Sequence, residues 1–257
     1  MTDAYITVLG SSAGMPQAAR SSAGYVLEAK GRLIQFDCGG GVSMAFRRAG
    51  FDPLAVDKIL ISHMHPDHVS DLPLYIQMMY LAGRQEAIDI HLPPEAVAST
   101  RDYFRTLYLL PEKLPFPVNF IPMLAAQEII SEPLSIEPFA NSHLSMYAPF
   151  IKEFDLANRM QCFSFLIRAG DKSCLYSSDL GSEEDLFPYL KNLDLLIIES
   201  THIDVARVVS RAVDDGVGQI VLTHIAEDYD VEQAVITAQK IGFPGLVIAC
   251  DGLKIAL

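Results

Sequence analysis

His63-Met64-His65-Pro66-Asp67-His68 gathers three of the chain's seven histidines and a carboxylate into one short stretch, directly after the strand-like run Lys58-Ile59-Leu60-Ile61. Positions 63 and 65 alternate as on the end of an extended strand, so both imidazoles can face one cation. Pro66 favours a turn and redirects the chain, so Asp67 and His68 can face a neighbouring cation. Imidazole together with carboxylate suits Zn²⁺, or the harder Mn²⁺ and Fe²⁺, better than soft thiolate chemistry does. The stretch is a metal-site candidate before it is anything else.

Further donors must come from elsewhere in the chain. Of the remaining histidines, His143 follows an expected strand over Leu134–Phe139 and His224 ends another, which makes both candidate ligands. His91 sits within a strand, with Asp89 as its acidic neighbour, and is expected to be structural. Asp179 closes the run Leu175-Tyr176-Ser177-Ser178 at a strand-to-loop boundary, and the two oxygens of one carboxylate can bridge cations about 3.5–4 Å apart.

The elements that position these residues read as strands alternating with helices. Strands are expected over Ala4–Leu9, Gly24–Ala29, Arg32–Asp37, Asp57–Ile61 and Ile88–Leu92. Helices are expected over Val42–Ala49, over Leu72–Leu81 and from Pro93 to about Leu109, where proline suits a first turn. The proline-rich Leu110–Pro122 is expected to be loop or sheet edge. In the second half, Cys162–Arg168 and Ser173–Ser177 form a hairpin about Gly170-Asp171. A helix over Glu183–Leu190 and a strand over Asp194–Ile198 follow, then helix Ile203–Asp214, strand Gln219–Leu222 and helix Val231–Ile241. Strands over Leu246–Ala249 and Leu253–Ala256 close the chain. Runs of this kind point to an α/β protein with helices packed on sheets. Ile59-Leu60-Ile61-Ser62-His63 is echoed by Val221-Leu222-Thr223-His224, a hint of two related halves.

At 257 residues and 50% hydrophobic, the chain is expected to form a single domain over residues 1–257. No apolar run approaches the roughly 18 residues of a membrane span, and Met1-Thr2-Asp3-Ala4 lacks the basic start of a signal peptide, so a soluble cytoplasmic protein is expected. Cys38, Cys162, Cys174 and Cys250 show no CxxC spacing and fit reduced structural thiols. With 19 Lys and Arg against 32 Asp and Glu, the formal charge of −13 repels a polyanion such as RNA.

The sequence resembles the metallo-β-lactamase superfamily, and within it the ribonuclease Z-like branch, over nearly its whole length. The matching segments begin with Val8-Leu9-Gly10-Ser11-Ser12-Ala13-Gly14-Met15-Pro16, Arg20 with Ser21-Ser22, Phe36-Asp37-Cys38-Gly39 and the HxHxDH motif. Ser142-His143, Tyr176-Ser177-Ser178-Asp179, Glu199-Ser200-Thr201, Leu222-Thr223-His224-Ile225 and Ala249-Cys250-Asp251-Gly252-Leu253 follow. The resemblance implies a four-layer αβ/βα sandwich of the metallo-β-lactamase type and two divalent metal ions, zinc first, with manganese or iron as alternatives. It makes His63, His65 and His143 ligands of one metal and Asp67, His68 and His224 ligands of the second, with Asp179 bridging. Asp67 would also orient the attacking hydroxide. In ribonuclease Z-like enzymes the acid of a Glu-(Ala/Ser)-Thr motif supports a histidine that protonates the leaving group; the corresponding residues are Glu199 and His202. Asp37 would orient a ligand histidine.

Two departures weigh against transfer-RNA processing. The interval between His143 and Asp179 is too short for the glycine- and proline-containing arm that grips RNA, and Pro16-Gln17-Ala18-Ala19-Arg20 keeps one arginine. The reading is therefore a dinuclear metal-dependent hydrolase, a phosphodiesterase in which metal-bound hydroxide attacks a small phosphodiester. The alternatives are a ribonuclease Z-type transfer-RNA 3′ processing endonuclease, a lactonase, sulfatase or thioesterase of the same superfamily, and a metal-binding regulatory module without turnover. The partner expected is a small ester or phosphodiester rather than nucleic acid or a membrane, and the family's habit makes a homodimer an open expectation.

Overall fold

The computed structural model describes residues 4–130 and 133–257, so Met1-Thr2-Asp3 of the expected N-terminus lies outside the described residues. Two compact units divide the chain, Met1–Leu124 with Cys250–Ala256, and Ala125–Ala249 with Leu257.

The first unit opens with β1 (Ala4–Gly10), β2 (Gly24–Ala29) and β3 (Arg32–Phe36), an antiparallel meander, and α1 (Val42–Arg48) follows. The chain then adds three strands in parallel, β4 (Lys58–Leu60), β5 (Ile88–Leu92) and β6 (Val118–Pro122). Between them lie α2 (Pro66–Val69), α3 (Leu72–Leu81) and α4 (Val97–Thr106). Leu9, Val26, Phe46, Ile59, Tyr75, Ile76 and Phe104 are buried together in its core. Ile88, Ile90 and Leu92 of β5 enter the same core by alternation, and Leu72, Tyr75, Ile76 and Met79 of α3 by three-to-four spacing, the patterns that bury one face of an element.

The second unit repeats this plan. β7 (Leu134–Ala140), β8 (Phe163–Ala169) and β9 (Lys172–Tyr176) form an antiparallel meander, with the β8–β9 turn at Gly170-Asp171. α5 (Ala148–Glu153) lies within the β7–β8 connection. β10 (Leu195–Glu199), β11 (Gln219–Thr223) and β12 (Leu246–Ile248) then add in parallel, with α6 (Val205–Asp214) and α7 (Val231–Ile241) as crossovers. Val205, Val208, Val209 and Ala212 of α6 are buried at helical spacing, and Asp204 caps the helix by accepting from the Ala206 and Arg207 amides. β13 (Lys254–Ala256) pairs antiparallel with β1 and completes the seven-stranded sheet of the first unit; the second unit's sheet has six strands.

Most expected elements hold, and the departures have local causes. Instead of one helix over Glu183–Leu190 there are two 3₁₀ turns, Glu183–Asp185 and Phe187–Tyr189, because Pro188 has no amide to continue an α-ladder. The segment after Pro93 begins as a 3₁₀ turn and its helix ends at Thr106, where Leu107 leaves the helical range and Tyr108 turns to φ 59°. Leu110–Pro122 does end in an edge strand, β6, a place where proline is tolerated. The echo noted between Ser62-His63 and Thr223-His224 joins strands that are not counterparts: by order and pairing, β4 corresponds to β10, whose end carries Glu199. None of the four cysteines forms a disulfide. No helix among the described residues is long and apolar enough to cross a membrane.

His91 is structural, as expected. It is 8% exposed, its Nε2 has no hydrogen-bond partner among the described residues, and burial, then Lys58, pushes its pKa down to about 4. The unfolded chain binds this proton near pH 6.5 and the fold refuses it, so stability is full above about pH 6.5 and falls as the pH drops toward 4. In metal-free protein, urea unfolding of His91→Leu should lose less stability between pH 7 and pH 4.5 than wild type, by on the order of 2 kcal/mol. Parallel losses in the two proteins would show that His91 does not carry this term.

Candidate metal centre

The donors of the first unit stand where β4 ends. His63 follows Ile61 and Ser62, and Pro66 at the first position of α2 turns the chain so that Asp67 and His68 face back. The rings of His63 and His65 lie 4.7 Å apart, and those of His63 and His68 lie 4.2 Å apart. His63, His68 and Asp37 are buried.

Asp37, just past the end of β3, holds this group in place. One oxygen accepts the Ser62 amide at 2.8 Å, and the other accepts the Ser62 hydroxyl at 3.0 Å and His68 Nδ1 at 2.9 Å. Ser62 Oγ also lies 3.1 Å from His63 Nδ1. Engaging Nδ1 of each ring turns Nε2 outward, the arrangement that orients metal-ligating histidines. The backbone closes around the motif as well, with Cys38 N to His68 O at 2.7 Å and Asp71 N to Cys38 O at 2.9 Å. Gly39 is required there, because a Cβ would stand 1.9 Å from the Asp67 carbonyl oxygen. Asp71 in turn accepts the Ser43 amide at 2.6 Å and anchors the start of α1.

In the second unit His143, Asp179, Glu199, His202 and His224 are brought together. Asp179 turns one oxygen to His143 Nε2 at 3.6 Å and the other to His224 Nε2 at 3.4 Å. In the first unit His68 Nε2 lies 3.6 Å from Asp67. Charge-assisted hydrogen bonds run at about 2.7–2.9 Å. Two donors bound tetrahedrally at about 2.0–2.2 Å lie about 3.3–3.5 Å apart. Each unit's donors are therefore spaced as co-ligands of a divalent cation, and each oxygen of Asp179 serves a different imidazole, as a bridging carboxylate must.

Glu199, buried at the end of β10, organises the rest. It accepts from Leu180 N, Thr201 N, Thr201 Oγ1 and His202 N at 2.7–3.0 Å, and from His202 Nδ1 at 3.0 Å. Burial is the largest single influence on it and opposes its ionisation, but the His202 hydrogen bond and the nearby His202 and His224 imidazoles together hold the carboxyl below its usual range despite the like charge of Asp179. His202, 38% exposed at the side chain, has its ring 4.8 Å from that of His143 and 5.8 Å from that of His224. Glu199, His202 and His224 also converge closely enough to share an ion.

Several supporting contacts carry no sequence signal of their own. Thr201 Oγ1 lies 2.9 Å from His224 Nδ1, doing for His224 what Asp37 does for His68. Asn141 accepts the His143 amide and donates to Ser164, which donates to the Ser177 carbonyl, while Ser177 Oγ accepts the Glu199 amide. The available clue was a serine between Phe163 and Phe165 in the otherwise apolar run 163–167. Asp37 and His224 have φ near 51°, a left-handed conformation that costs an L-residue roughly 1–2 kcal/mol and persists where the surroundings enforce it. In the tail motif, Asp251 accepts from Ser11 Oγ and the Ser21 amide and so ties down the Gly10–Ser22 loop. Ser12 donates to the carbonyls of Ala13 and Met15 within that loop.

Asp37→Asn keeps an acceptor for the Ser62 amide but turns an amide NH₂ toward His68 Nδ1 and disturbs its tautomer. The variant should fold, as judged by circular dichroism, and lose about 10–100-fold in zinc affinity measured by competition with a chelator. Affinity unchanged from wild type would mean that Asp37 does not set the orientation of His68.

The model of the beta-lactamase superfamily domain matches residues 32–241 of this chain. A ribonuclease Z of Bradyrhizobium diazoefficiens is 25% identical over 294 aligned positions, covering 96% of this chain and 97% of that protein. The metallo-β-lactamase fold protein YhfI of Bacillus subtilis superposes with a TM-score of 0.79 at 20% identity over 100% of both chains. Short-form human tRNase Z gives 0.72 at 20% identity over 98% of each. These structures show the α/β metallo-β-lactamase fold that the sequence leads one to expect. The chain belongs to the β-lactamase superfamily, in its ribonuclease Z-like branch, and is a metal-dependent hydrolase of that superfamily.

Proposed function

We propose that this hydrolase is a dinuclear phosphodiesterase acting on a small phosphodiester. The observation that carries the reading is Asp179, whose two oxygens face two different imidazoles, beside a histidine held by a buried glutamate. His63, His65 and His143 would hold one ion and Asp67, His68 and His224 the other, with Asp179 shared. Zinc is the first choice for so imidazole-rich a set, with manganese or iron as alternatives. Such ions supply Lewis-acid charge to an attacking water and to the oxygens that become negative in the transition state.

The protein's own groups do the rest. Glu199 accepts at His202 Nδ1, which fixes the ring and leaves Nε2 to deliver a proton to the departing alkoxide. The depressed pKa of Glu199 keeps it an ionised acceptor for His202 Nδ1. Asp67, at the start of α2, would orient the attacking water. Glu199 is thus a positioning residue and His202 the acid.

Transfer-RNA 3′ processing is the second reading, favoured by the ribonuclease Z relatives. The formal charge of −13 and the brief His143–Asp179 interval weigh against it. Strong, salt-dependent binding of transfer RNA would move the assignment there.

In metal-reconstituted protein, His202→Ala should retain its metal. On aryl methyl phosphates it should lose roughly 10²–10⁴-fold in kcat when phenol is the leaving group, and far less with p-nitrophenol, which departs without a proton. Equal losses on both would remove His202 from the acid role.

A further inference from the structure

The segment leaving His143 is unlike the rest of its unit. One 3₁₀ turn, His143–Tyr147, runs into α5, and nearly every side chain from Ser145 to Arg159 is exposed; α5 buries none. Yet the projection is not polar. Met146 in the 3₁₀ turn, Phe150 in α5 and Phe154 at its C-cap recur every four residues and are 67%, 57% and 64% exposed, with Tyr147 and Leu156 close in sequence. A contiguous apolar stripe of this kind on a protein surface marks a binding surface.

Its charge and position indicate what it binds. Lys152 and Arg159 balance Glu153 and Asp155, so the projection offers no field to hold a polyanion. The stripe also begins within one turn of a candidate metal ligand. At about 2.0 Å rise per residue in the 3₁₀ turn and 1.5 Å in α5, Met146 stands about 6 Å and Phe150 about 12–14 Å along the axis from His143. Met146 is thus within the reach of an aryl group attached to a reacting phosphoryl group, and Phe150 within that of a longer alkyl chain.

We propose that Met146, Phe150 and Phe154 receive an apolar substituent of the substrate, which makes the preferred substrate a diester that carries an aryl or alkyl group. The proposal rests on the hydrolase reading above and adds the substrate class. A second copy of the chain or a bilayer would also be drawn to an apolar stripe, but neither accounts for its starting at His143.

The test uses metal-reconstituted full chain with p-nitrophenyl methyl phosphate and p-nitrophenyl hexyl phosphate, which share a leaving group and differ in the retained chain. The hexyl diester should be preferred by at least about tenfold in kcat/KM, through KM, and the double variant Met146→Ser/Phe150→Ser should bring that ratio close to one. Leu81→Ser, at an apolar position 73% exposed in the first unit, should leave the ratio as in wild type. A wild-type ratio near one, or equal loss on both substrates in the double variant, overturns the proposal. If neither diester turns over, it is the phosphodiesterase reading that fails. The stripe is then judged by p-nitrophenyl hexanoate against acetate, and by calorimetric binding of dihexyl phosphate to wild type and double variant; no dependence on Met146 and Phe150 in either overturns it. A double variant that alters only dimerisation, or only binding to phosphatidylcholine vesicles, overturns it equally.

Discussion

A carboxylate taken out of water must be met by donors on every side, and this chain turns that requirement into the framework of its site. Asp37 and Glu199, both essentially inaccessible, are answered by backbone amides, hydroxyls and one imidazole each. Meeting those demands fixes the loops that carry the metal donors. Ser62, His68 and the turn at Pro66 are held through Asp37, while Leu180, Thr201 and His202 are held through Glu199. The cost of leaving a buried charge unanswered, several kcal/mol, keeps these arrangements rigid.

The same geometry recurs in the two units. Each has an antiparallel three-strand meander followed by parallel strands, and in each the third strand is followed by Asp-x-Gly, as Asp37-Cys38-Gly39 and Asp179-Leu180-Gly181. The glycines have the same reason. A Cβ on Gly39 would meet the Asp67 carbonyl, and one on Gly181 would meet the Ser142 carbonyl at 2.4 Å, so each lets its loop press against a segment bearing candidate ligands. The aspartates differ in use: Asp37 orients a histidine, whereas Asp179 spans two. Functional side chains gather at the carboxyl ends of parallel strands, where open α/β sheets place their sites.

Much of this was legible in the sequence because short motifs carry it. HxHxDH after an apolar run, Asp179 shortly past a strand and Glu199-Ser200-Thr201 before His202 all lie at or just beyond strand ends. Strands such as Gly24–Ala29 and Ile88–Leu92 were plain from apolar pattern and turn residues. What remained hidden depends on contacts between distant segments. Thr201 supporting His224, and Asn141, Ser164 and Ser177 linking three loops, are ordinary polar residues until the strands align. Pro188 within Glu183–Leu190 was a visible warning against a continuous helix. The apolar stripe after His143 is hidden in the same way, since Met146, Phe150 and Phe154 look alike in a sequence whether they pack inward or face solvent.

Asp179, proposed as the shared ligand of a two-metal phosphodiesterase site, is the residue on which that function depends. The most direct measurement pairs metal content per chain with turnover of bis(p-nitrophenyl) phosphate, for wild type and Asp179→Ala after identical reconstitution. The account predicts two divalent ions and measurable diester hydrolysis in wild type, with both metal retention and turnover largely lost in the variant. Diester hydrolysis that survives Asp179→Ala, or fully loaded wild type inert to the diester yet active on an aryl ester or lactone, would contradict it.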